Sequence, residues 1–380
     1  ADFRNHAVAK FVIPFFEELH KREGFITYAY SNHGAVDDSM LRIKENMDVW
    51  RTVVQWSDDK LAEKIREDQI DILVDMSGHT AGDRLKVFAR HPAPIQMTWL
   101  GYPGTTGLRA MDYLVTENNL MPGKNISPQF IEKIIRLPRA FSFDGHAALQ
   151  PVGDAPCIEN GFVTFGSFNR LNKINREVIA LWSGVLRAVP GSRLQMAGMP
   201  ANGAPEELLQ WFAAEGIAED RLIFYPRSGF SEYLKLHNQV DFCLDTFPYT
   251  GGTTTLHALW MGVPTLTIGG HAYPSYQGAL MLHQVGLEDY FVANNKEDFI
   301  IKALFLVKNQ IFLQDARFKL RNYLVDGYSA SLKAVVDSFS LAFQMTWQGW
   351  CEGEKPRSIR IDNSDINFDP CFVNYSDVIQ

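Results

Sequence analysis

One short segment combines residue types that suit the binding of a phosphate group. It reads "DTFPYTGGTTTLHALWMG" from Asp245 to Gly262 and joins a short apolar strand to an apolar helix. Glycine allows close approach of the backbone to a ligand, and the first turn of a helix presents amides without internal partners and a partial positive charge. Threonine hydroxyls add donors without charge. The segment predicts a phosphate-binding helix terminus formed by Gly251, Gly252, Thr253, Thr254 and Thr255. A glycine loop followed by a threonine N-cap is the alternative.

A lysine elsewhere in the sequence supplies the charge that such a site needs. Lys173 lies in "FGSFNRLNKINREV", after an expected strand and before a helix that Asn175 is expected to cap. Loops that follow parallel strands lie at one edge of the sheet, so we expect Lys173 and Thr253 to be neighbours. Together they predict a clamp for a diphosphate, although an ordinary surface lysine is the alternative.

Three other polar residues in this region are expected to have structural roles. His237, in "LKLHNQVDF", precedes a buried strand. Asp241 and Asp245 bracket that strand, where a carboxylate can cap it or hold the following loop. We expect these roles rather than catalysis.

The elements that position the clamp follow an alternation of strands and helices. In the first half, strands are expected at residues 25–30, 70–76, 95–100 and 113–116, with helices at 8–20 and 58–66, the second capped by Ser57. After a Gly-, Pro- and Ala-rich linker at residues 140–160, the alternation resumes, from a strand at 162–168 to helices that end near residue 350. Nearly continuous apolar strands between amphipathic helices predict parallel sheets covered on both faces.

We therefore predict an α/β protein with two Rossmann-like domains. The first spans residues 1–150, the second spans 151–350 and binds the nucleotide, and 351–380 form a polar C-terminal tail. A length of 380 residues with 46% hydrophobic residues is enough for two cores.

Composition narrows the partners and the compartment. A net charge of -8 argues against nucleic acid or an anionic membrane as the main partner, so any anion site must be local. Four widely spaced cysteines without metal-ligand spacing favour a reducing compartment, and no apolar run suits a membrane span or a signal peptide. We expect a cytoplasmic protein. Its polar start, without an initiator methionine, indicates a piece of a longer protein.

The sequence resembles the catalytic region of bacterial proteins similar to O-linked N-acetylglucosamine transferase, of the SPINDLY type. The resemblance covers nearly the whole chain and rests on segments in family order, which include "DFRNHAV", "DILVDMSGHTAGDRL", "RHPAPIQMTWLGYPGTTG", "FGSFNRLNKI" and "DFCLDTFPYTGGTTT". It implies a GT-B fold, in which two Rossmann-like domains with parallel sheets face each other across a cleft and the second holds the donor. It also implies inverting, metal-independent transfer of GlcNAc from UDP-GlcNAc to serine or threonine hydroxyls of proteins. UDP-sugar is then a substrate, no cofactor is expected, and a tetratricopeptide-repeat region lies outside this chain.

The resemblance also implies roles for residues of the second domain. Lys173 matches the lysine that meets the diphosphate, and Thr253 and Thr254 match the threonines at the phosphate-binding terminus. The other implied donor-binding residues are Gly251, Gly252, Thr255, Asn169, Arg170, Ser228, Tyr233 and His257. The backbone of Ser228 is implied to meet the uracil and the ring of Tyr233 to stack on it, whereas His257 stands where bacterial relatives commonly carry an acidic residue that contacts the ribose.

In the first domain, the resemblance points to two histidines and one loop. His6 and His79 are implied near the acceptor and the donor sugar, where each could contact a sugar or relay a proton. A hydrogen-bonded loop histidine is the alternative for each. The loop "WLGYPGTTG" is implied to line the cleft, with the residues Trp99, Gly101, Tyr102, Pro103, Gly104 and Thr105.

The predicted chemistry follows from the charge that develops when the diphosphate leaves. The sequence contains no D-x-D motif, so we expect no metal, and Lys173 with the threonine terminus is the expected electrostatic catalyst. Sugar-nucleotide epimerisation would need acid and base carboxylates in the cleft, and the sequence offers no convincing pair. The other functions that stay open are transfer of another UDP-hexose such as glucose, an asparagine acceptor, and a non-catalytic module that binds a UDP-sugar. His257 and Tyr276 stand where relatives commonly carry an acidic residue and an arginine, and these two differences favour the non-catalytic alternative.

Overall fold

The chain folds into two compact units. A computed structural model describes residues 1–120, 125–143, 150–326 and 328–366. Of these, residues 1–120, 125–143 and 328–366 belong to the first unit, and residues 150–326 belong to the second. The predicted boundary at residue 150 lies close to this division. Residues 328–350, which the sequence analysis assigned to the second domain, group instead with the first unit.

The first unit begins with strands and helices in alternation. Its elements up to residue 137 are α1 (Ala9–Leu19), β1 (Tyr28–Ser31), α2 (Asp38–Glu45), β2 (Val49–Thr52), α3 (Asp58–Glu67), β3 (Ile72–Asp75), α4 (Leu85–Phe88), β4 (Ile95–Thr98), β5 (Tyr113–Glu117) and β6 (Lys133–Leu137). Ser57 caps α3 as predicted, because its side chain accepts a hydrogen bond of 3.2 Å from the amide of Lys60. The sequence analysis missed α2, β2, α4 and β6, which carry mixed polar and apolar residues over short lengths.

The second unit contains one six-stranded parallel sheet. Its elements are α5 (Pro156–Asn160), β7 (Thr164–Ser167), α6 (Arg176–Ala188), β8 (Arg193–Met199), α7 (Glu206–Ala214), β9 (Leu222–Pro226), α8 (Phe230–Lys235), β10 (Phe242–Leu244), α9 (Thr253–Trp260), β11 (Thr265–Ile268), α10 (Gln277–His283), α11 (Glu288–Phe291), β12 (Val292–Ala293), α12 (Lys296–Lys308) and α13 (Gln310–Asp326). Among them, α6, β10 and β11 have the bounds that apolar patterning in the sequence predicts, which are residues 176–188, 242–244 and 265–268.

The strand order of this sheet creates a switch point at its centre. The order is β12-β11-β10-β7-β8-β9, and every adjacent pair is parallel. The chain builds from β7 outward to β9 and then returns to place β10 on the other side of β7. The loops after β7 and β10 therefore diverge at the carboxyl edge of the sheet, where open parallel sheets bind ligands.

The last described elements return to the first unit. They are α14 (Tyr328–Cys351) and β13 (Ile359–Arg360), and β13 pairs in parallel with β6 to give the sheet order β13-β6-β5-β4-β3. Part of the expected tail is thus a strand. Its two residues are too few to give a periodic signal, and the pairing with a strand more than 220 residues away fixes it.

Two strands of the first unit form a sheet of their own. β1 pairs in parallel with β2. A cavity of about 610 Å³ lies beside this pair, lined by residues of β1 and β3 and by the rings of Phe15 and Phe339 from α1 and α14. Within the described part of the chain, no helix has both the length and the apolar character to cross a lipid bilayer.

Candidate active site

Lys173 lies at the switch point and reaches towards the loop after β10. A 3-10 turn at Leu171–Lys173 ends on it, directly before α6, whose N-cap Asn175 accepts a hydrogen bond of 3.0 Å from the amide of Val178. The ammonium group of Lys173 donates a hydrogen bond of 2.7 Å to the carbonyl oxygen of Thr250 and lies 4.0 Å from the centre of the Tyr249 ring. The predicted proximity of Lys173 to the glycine-threonine loop is therefore present.

The glycine-threonine segment forms the loop and first turn of α9. Gly252 is the N-cap, with φ -110° and ψ -86°, and no side chain caps this helix. The first helical hydrogen bond runs from the amide of Leu256 to the carbonyl of Gly252, 3.1 Å, so the amides of the three threonines precede the helical ladder. A helix start of this form offers amides and a partial positive charge to an anion.

Gly251 is a position where only glycine fits without movement. A Cβ atom there would lie 2.6 Å from Oγ1 of Thr255, 2.7 Å from Oγ1 of Thr254 and 3.2 Å from Oδ1 of Asp245. A side chain at this position would clash with the two threonines and would have to displace them. Packing around the loop therefore requires the first glycine.

Asn169 connects the loop after β7 to the loop after β10. It is buried, its side-chain amide donates to Oδ1 of Asp245 at 3.0 Å, and its oxygen accepts from the hydroxyl of Thr254 at 3.0 Å. One side chain thus fixes the start of α9 relative to the segment after β7 that carries Lys173. Asn169 holds the terminus together, whereas Arg170 beside it is exposed.

The electrostatics of the site centre on two opposite charges. Burial lowers the pKa of Lys173, an effect that the nearby Asp245 opposes and Arg170 reinforces. Burial raises the pKa of Asp245, while hydrogen bonds from Thr267, Gly251 and Thr246 and the charge of Lys173 favour its carboxylate. A partly buried ammonium with a lowered pKa gains from a bound anion, because the anion stabilises its charged form.

Two further predicted donor-binding residues contact each other. The hydroxyl of Tyr233 lies 3.1 Å from Nδ1 of His257, and their rings are 5.4 Å apart. Phe230 lies almost parallel to Tyr233, with ring centres 6.1 Å apart, and its ring centre is 5.1 Å from that of His257. These three rings form an aromatic cluster beside the second turn of α9. Ser228 is exposed in the loop between β9 and α8.

The described part of the first unit contains the other predicted site residues. His79 is exposed in the loop after β3, its Nε2 is 3.2 Å from the carbonyl oxygen of Thr105, and its ring meets that of Tyr102 edge to face at 5.6 Å. Thr105 donates a hydrogen bond of 2.7 Å to Glu132, which the sequence analysis did not single out. His79 and the predicted cleft loop are therefore one contiguous surface.

Tight turns shape this loop. Gly101 has φ +55°, and a Cβ atom there would lie 2.5 Å from the backbone of Ser77. A Cβ atom on Gly104 would lie 2.8 Å from the ring of Tyr102, and Pro103 between them is half-buried. The loop consequently packs closely against the segment that carries His79.

Trp99 differs from the expectation that it lines a cleft. Its side chain is 4% exposed, its ring packs against Phe15 and Phe339, and its indole nitrogen donates a hydrogen bond of 2.8 Å to the carbonyl of Ala140. Burial of so large an apolar ring stabilises the core of the first unit. Trp99 is a core residue there.

His6 lies in the loop before α1. Its Nδ1 accepts a hydrogen bond of 3.3 Å from the amide of Val8 and lies 3.6 Å from the carboxylate of Asp2. The contacts hold the ring within its own loop and leave it half-buried. In the described residues, no group of three or more His, Cys, Asp or Glu side chains could hold a metal ion.

Comparison with known proteins identifies the family. The profile of glycosyl transferase family 41 matches residues 1–153 and 155–333. The chain belongs to this family. A Hordeum vulgare relative named "Probable UDP-N-acetylglucosamine--peptide N-acetylglucosaminyltransferase SPINDLY" is 34% identical over 370 residues, which cover 95% of this chain and 39% of the relative. This family 41 chain therefore spans about two fifths of the length of such curated relatives.

Solved structures show the fold. A mutant of the Thermobaculum terrenum O-GlcNAc transferase is 35% identical and superposes with a TM-score of 0.82, covering 92% of this chain and 67% of that one. Anabaena Alr3699/HepE, in complex with UDP and glucose, is 11% identical with a TM-score of 0.53, covering 89% and 95%, and shares the fold. The predicted resemblance and the α/β GT-B fold class are confirmed.

Several residues of the family 41 site were missed by sequence reasoning. Tyr249 and Thr250 contact Lys173 from the loop before the glycines, and Thr267 at the end of β11 donates to Asp245 at 2.7 Å. Phe230, whose ring lies beside those of Tyr233 and His257, was also not singled out. Tyr249 and Thr250 follow a predicted strand of the parallel sheet, and this position could have indicated that they lie at the site. The contact of Thr267 depends on the order of the strands in the sheet, which the sequence does not give.

Proposed function

We propose that the chain is the catalytic part of a protein O-GlcNAc transferase. It would move GlcNAc from UDP-GlcNAc to serine or threonine hydroxyls of proteins, with inversion and without a metal. The observation that carries the proposal is the approach of Lys173 to the α9 terminus, with the ammonium 2.7 Å from the carbonyl oxygen of Thr250. The names of the family 41 relatives support the choice of donor and acceptor.

The proposed reaction is a displacement at the anomeric carbon of the sugar. The bond between that carbon and the β-phosphate oxygen breaks, the acceptor hydroxyl oxygen forms the new bond, and the hydroxyl proton is released. Negative charge grows on the departing UDP as the sugar gains oxocarbenium character, as in glycoside hydrolysis. Lys173 and the amides and hydroxyls of Thr253 and Thr254 would stabilise that charge. Electrostatic stabilisation of this kind is the largest single contribution to the rate enhancement of many enzymes.

The nucleoside would lie beyond the diphosphate along the same unit. Tyr233 offers an aromatic face for the uracil, and His257, one turn after Thr253 on α9, offers an imidazole for the ribose hydroxyls. The exposed Arg170 and the loop of Ser228 would complete the donor pocket. The hydroxyl of Tyr233 lies 3.1 Å from Nδ1 of His257, so a change in one side chain is expected to alter the orientation of the other.

The acceptor side of the reaction is assigned to the first unit. His79, exposed and in contact with Tyr102 and Thr105, is proposed to orient the acceptor or relay its proton, and His6 is proposed to contact the sugar. A neutral imidazole carries both a donor and an acceptor nitrogen, which suits either task. The proposed partners are a protein acceptor and a tetratricopeptide-repeat region. Free thiols at the three described cysteines agree with a reducing, cytoplasmic setting.

The proposal is tested by incubating the protein with UDP-GlcNAc and a host lysate. Mass spectrometry should then find a HexNAc increment on serine or threonine residues, and the Lys173→Ala protein should give none above background. UDP-glucose in a parallel reaction tests donor choice. Binding of UDP without transfer to any protein, or a hexose increment on asparagine, would contradict the proposed activity.

A further inference from the structure

A fully buried carboxylate at the end of β10 has no part in the chemistry proposed above. Asp245 is 1% exposed and directly follows the strand. An isolated buried charge is costly, so a carboxylate in this position needs several donors or an opposite charge. Asp245 has both.

The donors that meet Asp245 come from three separate segments. Its Oδ1 accepts from the side-chain amide of Asn169 at 3.0 Å, the amide of Thr246 at 2.8 Å and the amide of Gly251 at 2.8 Å. Its Oδ2 accepts from the hydroxyl of Thr267 at 2.7 Å. The carboxylate therefore ties the loops after β7 and β10 and the end of β11 to one point.

Space around the carboxylate is closed. A Cβ atom on Gly278 would lie 2.5 Å from Oδ2, and one on Gly251 would lie 3.2 Å from Oδ1. The side chain is thus confined between the phosphate-binding loop and α10. The bond to the Gly251 amide fixes the turn that precedes the threonines.

Asp245 and Lys173 bind the same peptide group, which joins Thr250 to Gly251. The ammonium group of Lys173 donates to its carbonyl oxygen at 2.7 Å, and Oδ1 of Asp245 accepts from its amide at 2.8 Å. The charged groups that act on Lys173 are Asp245, from the end of β10, and Arg170, from its own loop. The ring of Tyr249 and the carbonyl oxygen of Thr250 also contact the ammonium group of Lys173. Asp245 is therefore the anion that favours the charged lysine before a diphosphate arrives.

We propose that Asp245 is a positioning residue for the donor diphosphate, which aims the α9 terminus through the Gly251 amide and keeps Lys173 charged in its partly buried place. This inference rests on the proposed function. Asp245 touches neither substrate nor reacting atoms in this role and acts through Gly251 and Lys173.

The test uses Asp245→Asn, which keeps an oxygen for the three amide donors and removes the charge. Asp241→Asn is the matched control, because Asp241 is equally buried at the opposite end of β10, where it accepts from the amides of Cys157 and Thr164. The pKa of Lys173 is measured in each ligand-free protein by NMR of 13C-labelled lysine. A paired opposite charge typically shifts a pKa by about 1 to 3 units.

The expected result is a pKa of Lys173 lowered by about one unit or more in Asp245→Asn and unchanged in Asp241→Asn. As the pH is raised, Lys173 should therefore lose its proton earlier, and UDP affinity should begin to fall at a lower pH in Asp245→Asn than in the wild type. This difference in the pH dependence of UDP affinity should vanish when Lys173→Arg is added to both proteins, because arginine stays charged. A purely structural role for Asp245 would weaken UDP binding equally at every pH, and that result would overturn the proposal.

A reciprocal measurement serves if Asp245→Asn does not fold. Removing the lysine charge with Lys173→Gln should raise the pKa of Asp245, because coupling between two sites is mutual. An unchanged pKa would overturn the proposal. Failure of the wild-type protein to bind UDP would instead overturn the proposed function. If Asp245→Asn binds UDP and loses affinity at the same alkaline pH as the wild type, only the role of Asp245 is overturned.

Discussion

The ammonium group of Lys173 donates a hydrogen bond of 2.7 Å to the carbonyl oxygen of Thr250, the residue just before the two glycines of the phosphate-binding loop. This bond joins the segments that follow β7 and β10 at the switch point of the second sheet. The lysine is therefore already placed beside the helix terminus with which it is proposed to grip a diphosphate.

Lys173→Ala should lower the turnover number by about 10²- to 10³-fold at saturating donor, because one electrostatic contributor to the leaving group is lost. The melting temperature should change by less than about 4 °C, since burial already disfavours the charged side chain. Steady-state kinetics of UDP release and a thermal melt measure the two effects. Near wild-type turnover would remove Lys173 from the mechanism.

Gly251→Ala should weaken UDP binding by about tenfold or more. The added Cβ atom would come within 2.7 Å of the hydroxyls of Thr254 and Thr255, and overpacking of this kind costs about 1–3 kcal/mol. Calorimetric titration with UDP measures the change. Gly153→Ala is the matched control in the same unit, because its Cβ atom would meet only Asn238 at 3.9 Å. Equal affinities in the two variants would show that the loop does not meet the nucleotide.

Tyr233→Phe should weaken UDP binding by roughly fivefold. The change keeps the ring for stacking and removes the hydroxyl that orients His257, a hydrogen bond worth about 1 kcal/mol. Tyr225→Phe is the control, because its hydroxyl bonds to Gln239 at 2.7 Å in an exposed position. If both variants bind UDP as the wild type does, the pair formed by Tyr233 and His257 has no part in donor binding.

Arg317→Met should lower the free energy of unfolding by about 3 kcal/mol. The buried guanidinium donates to the carbonyl oxygens of Gly153 at 2.8 Å and Val240 at 2.7 Å, and both would lose a charged donor. Urea denaturation measures the change. Lys319→Met, which removes an ion pair on the same helix, should cost less than about 1 kcal/mol. Similar losses in the two variants would refute the structural role of Arg317.

The sequence predicts much of the local structure of the second unit. The bounds of α6, β10 and β11 and the cap at Asn175 follow from apolar periodicity and from residue preferences at helix starts. His237 also agrees with its expected structural role. It is fully buried, stacks on Phe168 with ring centres 3.8 Å apart, and burial lowers its pKa to about 3.

Features that depend on the three-dimensional course of the chain were not predictable. The bond from Asn169 to Asp245 joins residues 76 positions apart, and no local pattern marks the pair. Trp99 sits in a loop motif, yet α14 brings Phe339 across it and makes it a core residue. Whether an aromatic side chain lines a site or a core depends on which distant helix covers it.

The most direct test is a crystal structure of the protein with bound UDP. The account predicts phosphate oxygens within about 3 Å of both Nζ of Lys173 and the amides at the start of α9. A nucleotide bound elsewhere, or one whose phosphates touch neither group, would contradict it.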